Sequence, residues 1–571
     1  MNDTITQALI IGAERVAAWA NLLDSINIFP VADGDTGRNL KISLAPLREL
    51  GGGRDTTIHK LLINARGNSG NIAARFFSGF LTADTLDKLP EAVKLGRDRA
   101  WKAVHDPVPG TMLTVFDALV DVLEGSFVES SEQFADLVMN RLEEAVRSTP
   151  DLLPYIKNAG VVDSGALGMF IYFDGFFKSL AGTIESIQPV TSVFSGLLSI
   201  SPAYDIQEED GYCVDITVSA QNRQDDAMQA ISELDKSVVM IPGDDFVKIH
   251  LHTRDAVTVR EKMVSIGGIM RWSDDDLGEQ THEFKQEKIR QAVHVMTDAA
   301  GSITRDDARR LGITLLDSYV SVGDLSAPET FIDTDEVYKA MRRGVKASTS
   351  QASVYERNEL YRSVTSQHER VLYLCVGSVF TGNYGVAMKW KEENDPENRF
   401  TVIDTGAASG RLGSIALAAA SYSITTVDAD AVVKFAGETT DRCREYIFID
   451  NLKYLAAGGR LSKTQAWFGN MFGVKPVVTP TAEGVKKAGI AKTLDEQLSF
   501  ALGRLADDAP AGSRPFIMLQ YTDTRALVEK AVMPEIVKRY PRADIKLQPL
   551  SLTTGVHTGP GTWSLAYIPE I

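Results

Sequence analysis

Asn27-Ile28-Phe29-Pro30-Val31-Ala32-Asp33-Gly34-Asp35-Thr36-Gly37-Arg38-Asn39 is the stretch on which the reading of this chain turns. In an extended segment residues two apart point the same way, so Asp33 and Asp35 present two carboxylates to one place, while Gly34 and Gly37 let backbone come close to a ligand. Hard carboxylate oxygens suit magnesium, which completes its shell with water and phosphate oxygens. Asp-Gly is also an ordinary turn dipeptide, and the segment alone leaves both readings open. Three further loops add weight: Ala65-Arg66-Gly67-Asn68-Ser69-Gly70, the run from Val108 through Gly110 and Thr111 to Thr114, and the run from Gly160 through Asp163, Ser164 and Gly165 to Gly168. Small donors and free amides at helix starts favour anionic phosphate. Neither Gly-x-x-x-x-Gly-Lys-Ser/Thr nor Gly-x-Gly-x-x-Gly occurs, which excludes a P-loop and a dinucleotide fingerprint. A different nucleotide fold is required.

Working outward, Leu9, Ala13, Val16, Ala20 and Leu23 recur at three- and four-residue steps and predict an amphipathic helix over 6–26. Similar steps predict helices over 93–104, 114–123 and 131–147, and alternating β-branched runs are nearly absent before residue 185. Between 184 and 206 periodicity fades and Ser, Pro and Thr accumulate, which marks a boundary. Beyond it YCVDITVSA (212–220) and DFVKIHLHT (245–253) alternate apolar and polar residues around a helical segment near 226–234, a small α/β unit. From about Lys288 onward VHVMTD, RVLYLCV, FTVIDT and PFIMLQYTD each precede a small-residue loop and a helical pattern, which predicts βαβ units with a largely parallel sheet. Thr304 and Gly312 bracket a short helix as cap and stop.

A chain of 571 residues should divide into three or four compact units. Fifty-nine Lys and Arg against 76 Asp and Glu leave a net charge of −17, which argues against nucleic acid and anionic bilayers as partners. Three scattered cysteines do not make a disulfide framework, and no apolar run approaches a membrane span. With no signal-peptide pattern in MNDTITQALI, a cytoplasmic location is expected.

In Val247-Lys248-Ile249-His250-Leu251-His252 the apolar residues share one face and Lys248, His250 and His252 the other, so the strand reads as half buried. Two imidazoles on one face, with Cys213 in an earlier strand, offer three ligands of the type zinc prefers; a solvated strand face is the plainer reading. His282 is a weaker fourth ligand. Farther along, Ser378, Thr381 and Gly382 follow a strand, Thr349 and Ser350 follow a helix, and His557 and Thr558 lie in a late glycine-rich loop, where hydroxyls and helix-start amides can hold a carboxylate. Each is weak alone, since connecting loops commonly look this way.

Taken together these residues carry resemblances. NIFPVADGDTGRNL, ARGNSGNIA, PVPGTMLTV and TPDLLPYIKNAGVVDSGALGM resemble the nucleotide-binding L domain of dihydroxyacetone kinases, most of all in the version found in bacterial fatty acid kinase A subunits. The resemblance implies a barrel of antiparallel helices whose acidic loop holds magnesium on the phosphates of ATP. It makes Asp33 and Asp35 metal ligands and Thr36, Gly37, Asn39, Asn68, Ser69, Gly70, Thr111 and Asp163 nucleotide contacts. Dihydroxyacetone kinases have a third aspartate where this chain has Ile28, and Asn27 is the substitute. GYCVDITV, PGDDFVKIHLHT and Glu279-Gln-Thr-His282 resemble the middle domain of the same subunits, which implies a metal, taken as zinc, on Cys213, His250 and His252. MTDAAGSIT, KASTSQAS, GSVFTGNY, VIDTGAASGRLG, NLKYLAAGGRLSK, FGVKPVV and VHTGPG resemble the DegV family of fatty-acid-binding proteins. That resemblance implies an acyl tunnel between two α/β lobes and a carboxylate held by Thr349, Thr381 and His557. The family's usual Ser and Thr around Gly382 are Thr381 and Asn383 here, and its proline after Thr-Ser-Gln is Ala352. Arg460 stands as a candidate phosphate contact, a surface salt bridge being the ordinary reading of one arginine.

The fold class expected is multidomain: an all-α DhaL-like barrel over 1–190, a small α/β middle domain over 203–288 and a two-lobed α/β DegV-like domain over 289–571. The expected function is an ATP-dependent fatty acid kinase making acyl phosphate, with Asp33, Asp35 and His557 at the chemistry. A long-chain fatty acid, a homodimer partner and an acyltransferase that uses acyl phosphate are the expected partners. A small polyol or ketone kinase and a non-catalytic lipid binder are the alternatives.

Overall fold

The computed structural model describes residues 3–124, 128–207, 209–219, 238–243, 245–285, 289–323, 325–457, 475–510 and 512–570. Contacts divide the chain into two units, Met1–Glu287 and Lys288–Ile571. The predicted helix near 226–234 and Arg460 lie outside the described residues.

Among the described residues the first unit opens with the helices α1 (Asp3–Ser25), α2 (Thr36–Leu44), α3 (Arg54–Asn64), α4 (Gly67–Phe80), α5 (Leu89–Ala103), α6 (Met112–Leu123), α7 (Glu132–Leu152), α8 (Pro154–Ala159) and α9 (Ser164–Ala181). α1 packs on α2, α2 on α4, α4 on α5, α5 on α6, α6 on α7 and α7 on α9, which returns to α1, so the ring closes. The four predicted helices are present, with ends shifted by a few residues. The sequence reading placed 36–39 and 67–70 in loops; they are the opening turns of α2 and α4. α9 is apolar all round and almost wholly buried, as a helix enclosed by its neighbours must be. Arg15 of α1 is buried against Asp174 of α9 at 2.8 Å and also donates to Ile171 O, which satisfies a charge that would otherwise be costly to bury.

The same unit continues into an antiparallel sheet of β1 (Tyr212–Ser219), β2 (Val239–Pro242), β3 (Phe246–Thr253) and β4 (Gly268–Asp276), in the order β2-β3-β1-β4. One face is apolar: Val214, Ile216, Val218, Val247, Ile249 and Leu251 pack with Val259 and Met263 of the helix Ala256–Ile266. The opposite face of β3 is not solvated, contrary to the half-buried reading, for Lys248 and His250 are buried. Alternation reports which residues share a face, but only the neighbouring helices decide whether that face meets water. Here it meets α4, and β2 joins the helical part through a bridge from Val239 to Val104.

Among the described residues the second unit holds three sheets. β5 (His294–Asp298), β6 (Thr314–Leu316), β10 (Val371–Cys375) and β11 (Phe400–Asp404) form a parallel sheet ordered β11-β10-β5-β6. β7 (Ser318–Val322), β8 (Leu325–Pro328) and β9 (Ala347–Gln351) form an antiparallel one. β12 (Arg444–Phe448), β13 (Pro476–Thr481), β14 (Gly484–Ile490), β15 (Phe516–Tyr521), β16 (Asp544–Pro549) and β17 (Trp563–Ile568) make a six-stranded sheet ordered β14-β13-β12-β17-β15-β16. In it only β15 and β16 run parallel, so the expectation of a largely parallel sheet holds for the first sheet alone. The last strand, β17, enters between β12 and β15 against both, and that pairing is invisible to local pattern. The helix Ser409–Thr425 packs against β5, β15 and β17, and its row of alanines and glycines permits the approach: a Cβ on Gly413 would stand 2.0 Å from Gly301 O. Thr304 caps the helix Arg305–Arg310 by accepting from Asp307 N, and Gly312 follows it at φ +60.

Candidate functional site

In the first unit the loop between α1 and α2 carries Asp33 and Asp35. Burial, and then the neighbouring Asp35 carboxylate, push the Asp33 carboxyl well above its usual range. Asp35 lies 3.3 Å from Arg38 Nη2, while the Arg38 amide donates to Asp24. Two crowded carboxylates of which one resists ionisation form a set that a divalent cation would relieve, so the residues fit the group expected there. Asn27 does not fit as a ligand. Its amide nitrogen donates to Asp33, and its oxygen, the atom a metal would need, accepts from Thr36 Oγ1 at 2.8 Å and Ser164 Oγ at 3.0 Å. Asn27 therefore orients Asp33 and ties the loop to the start of α9.

A cavity of about 180 Å³, open to solvent, lies beside this loop and is lined by Thr36, Asn68, Ser69, Thr111, Asp163, Ser164 and Gly165 with Phe29, Ile72, Met112 and, from the sheet, Val239. Thr36 and Ser69 hydroxyls stand 3.1 Å apart. Asp163 caps α9 by accepting from Ala166 N at 2.7 Å, and burial raises its carboxyl to about 7. Gly37, Asn39 and Gly70 are not among the lining residues. The two glycines serve packing: a Cβ on Gly37 would stand 1.9 Å from Ala20 O of α1, and one on Gly70 2.1 Å from Ser43 Oγ of α2. Asn39 lies beneath Gly67, whose φ of +61 and 1.9 Å clearance from Asn39 Nδ2 leave no room for a side chain.

The polar face of the middle sheet abuts α4. Register places Asp275, Cys213 and His252 in one row across β4, β1 and β3, then Ser273, Asp215 and His250, then Arg271, Thr217 and Lys248. Among the described residues the ligand atoms of Cys213, His250 and His252 lie within 4.8 Å of one another. Cys213 Sγ is 4.0 Å from His250 Nε2. Burial, then the charges of Asp35, Asp215, Asp33 and Asp275, push the Cys213 thiol far up. Burial and His250 lower His252 to about 4, which keeps it in the neutral form that a metal ligand requires. The donor set fits zinc. His282 is exposed on the helix Leu277–Lys285 and takes no part in this group.

Two neighbours of this cluster, Asp215 and Lys248, tie it to the helices. Asp215 accepts from Gly67 N at 3.1 Å and Asn71 Nδ2 at 3.4 Å, and stands 3.3 Å from His250 Nδ1. Burial opposes its ionisation, but His250, Lys248 and the Gly67 amide outweigh it and hold the carboxyl below the usual range. Lys248, lowered to about 7 chiefly by burial, donates to Ile63 O at 3.1 Å and also to Ala65 O. The signal for Asp215 was present, two residues past Cys213 on the same face, yet only the packed helices give it a role.

In the second unit a cavity of about 180 Å³ combines apolar walls of Ala300, Val376, Phe380, Ile447, Leu455, Val478 and Val485 with Thr349, Ser350, Thr381, His557 and Thr558. Thr349 Oγ1 lies 3.2 Å from His557 Nε2, which joins β9 to the helix Leu552–Thr558. Thr349 and Ser350 sit within β9, not in a loop. Ser378 is exposed, its amide donating to Asp404, and Gly382 caps the helix Asn383–Asn394; neither lines the cavity. Asp298 at the end of β5 lines it too, accepting from Val376 N, Tyr373 Oη and Asn383 Nδ2, with burial raising its carboxyl to about 6.

A barrel of helices with an acidic loop, a small sheet with a metal-type donor set and a three-sheet α/β unit with an apolar cavity define the class. Residues 30–178 match the family model described as the DAK2 domain, 209–284 that of the middle domain of fatty acid kinase A-subunit-like proteins, and 292–570 that of an uncharacterised DegV family. The chain thus carries, in that order, segments similar to a DAK2 domain, to the middle domain of fatty acid kinase A-subunit-like proteins and to the DegV family. It is 32% identical over 309 residues to an uncharacterized protein of Staphylococcus saprophyticus, covering 48% of this chain and 55% of that protein. An uncharacterized protein of Staphylococcus epidermidis is 31% identical over 306 residues with the same coverage. The chain therefore spans about half the length of the curated relatives it matches. Among solved structures, DegV of Bacillus subtilis, described as a fatty acid binding protein, aligns with a TM-score of 0.45 and 21% identity over 48% of this chain and 99% of that one. A Thermus thermophilus DegV family protein, described by its fatty acid binding, gives 0.45 and 25% over 48% and 99%. No helix among the described residues is long and apolar enough to cross a membrane.

Proposed function

We propose that this chain is an ATP-dependent fatty acid kinase: its DAK2 domain binds Mg-ATP, its DegV-family domain holds a long-chain fatty acid, and phosphoryl transfer to the carboxylate yields acyl phosphate and ADP. The observation that carries the reading is that one chain has both a hydroxyl-lined cavity beside two crowded carboxylates and an apolar-walled cavity containing a Thr349–His557 pair. Asp33 and Asp35 would hold magnesium, which when bound neutralises charge on the transferring phosphate. Thr36, Asn68, Ser69 and Thr111 would contact nucleotide. A carboxylate is ionised at neutral pH, so no general base is required, and His557 with Thr349 and Thr381 orients it. Zinc would sit on Cys213, His250 and His252.

The purified chain, given Mg-ATP and oleate, should release ADP and form acyl phosphate that hydroxylamine traps as the hydroxamate. Nucleotide left intact in the presence of oleate and palmitate overturns the reading, and turnover on dihydroxyacetone in place of fatty acid would favour the small-substrate kinase.

A further inference from the structure

We propose that Asp215 is a positioning residue that joins the Cys213–His250–His252 cluster to the opening turn of α4, so that metal occupancy and nucleotide binding are energetically coupled. The proposal rests on reading the cavity beside α4 as a nucleotide site.

The opening N–H groups of a helix have no partner within it and need an acceptor from elsewhere. Arg66, at the N-cap of α4, supplies no side-chain acceptor. The cap comes instead from 148 residues away, where Asp215 Oδ2 accepts from Gly67 N at 3.1 Å. The next two residues, Asn68 and Ser69, line the cavity, and the Ser69 hydroxyl meets that of Thr36 at 3.1 Å. Thr36 in turn donates to Asn27, which orients Asp33. The same Asp215 carboxylate stands 3.3 Å from His250 Nδ1, while His250 Nε2 is directed to Cys213. The contact is at ion-pair distance rather than a hydrogen bond, and a carboxylate poised at the far nitrogen of a ligating imidazole would fix its tautomer and ring orientation once a metal is bound. One side chain thus serves both sites, and a shift that suits one is felt at the other.

Lys248 reinforces the arrangement from the other side. It donates to Ile63 O and Ala65 O at the carboxyl end of α3, where a cation complements the helix dipole. The sheet therefore grips the corner between α3 and α4 with a carboxylate accepting at the start of one helix and an amine donating at the end of the other.

The test measures Mg-ADP affinity by calorimetry on the full chain, zinc-loaded and zinc-stripped. Stripping should weaken Mg-ADP binding about 5-fold or more, the range of ordinary site-to-site coupling, and Mg-ADP should raise zinc affinity by the same factor. Asp215→Asn should lower zinc affinity about 10- to 100-fold and abolish the dependence of Mg-ADP affinity on zinc. Cys213→Ser leaves the Asp215–Gly67 bond in place and should behave as the stripped wild type. Equal Mg-ADP affinity for loaded and stripped wild type overturns the proposal without using any variant, as does full zinc dependence retained in Asp215→Asn. Absence of Mg-ADP binding under both conditions would overturn the kinase reading as well, which separates the two failures.

Discussion

Asp163→Asn should stabilise the nucleotide-free protein above neutral pH. Asp163 is buried at the cap of α9 and its carboxyl is raised from 3.8 to about 7 by burial, so at pH 8 the fold holds a carboxylate that it disfavours. At 1.36 kcal/mol per pH unit, the roughly three units between those values correspond to about 4 kcal/mol as an upper bound. Asparagine caps a helix about as well as aspartate, so the bond from Ala166 N survives the change. The net gain expected is about 2–4 kcal/mol at pH 8. Because the folded value lies above the unfolded one, the native state takes up the proton first as pH falls. The wild-type penalty is therefore fully present above pH 7 and gone near pH 4. Denaturant unfolding of both proteins at half-unit steps from pH 4.5 to 8.5, followed by helical circular dichroism, should show a gap that opens with rising pH. A gap that is constant with pH, or a less stable variant at pH 8, refutes the assignment of Asp163 as a disfavoured buried charge.

Asp33→Asn should abolish Mg-dependent ATP consumption while the amount of co-purifying lipid, measured by mass spectrometry, stays as in wild type; turnover at the wild-type rate would remove Asp33 from the metal site. Thr349→Val, which breaks the 3.2 Å contact with His557, should weaken fatty acid retention about 5-fold or more in a displacement assay, as expected for a hydrogen bond to a charged group, with ADP binding unaltered. Gly37→Ala forces a Cβ to within 1.9 Å of Ala20 O and should cost about 1–3 kcal/mol, seen as a lowered unfolding midpoint; an unchanged midpoint would return Gly37 to the ligand-contacting role expected from the sequence.

Much of the organisation was legible because it is written in short-range pattern. Period 3.6 marked the helices of the first third and period 2 marked β1 and β3, since each reports a side-chain direction that the backbone imposes whatever lies beyond it. The same reasoning placed His250 and His252 on one face, and their meeting with Cys213 follows from the pairing of β1 with β3. For Gly37 and Gly70 the structure adds a packing role that one-dimensional pattern does not separate from ligand contact, because both need a residue without a Cβ. Asn27 was taken for a ligand where packing makes it a brace, since the hydroxyls that occupy its oxygen come from Thr36 and from Ser164, 137 residues away.

What the sequence determined by itself was the succession of helices, small sheet and α/β unit, and the residue types brought to each site. Tertiary structure alone decided that the polar face of β3 is buried, that β17 runs against β12 and β15, and that Asp215 and Lys248 grip the corner between α3 and α4. The physical reason is range: periodicity and capping act over about one helical turn, whereas burial, strand partners and charge neighbours depend on groups that lie far apart along the chain and meet only when it folds.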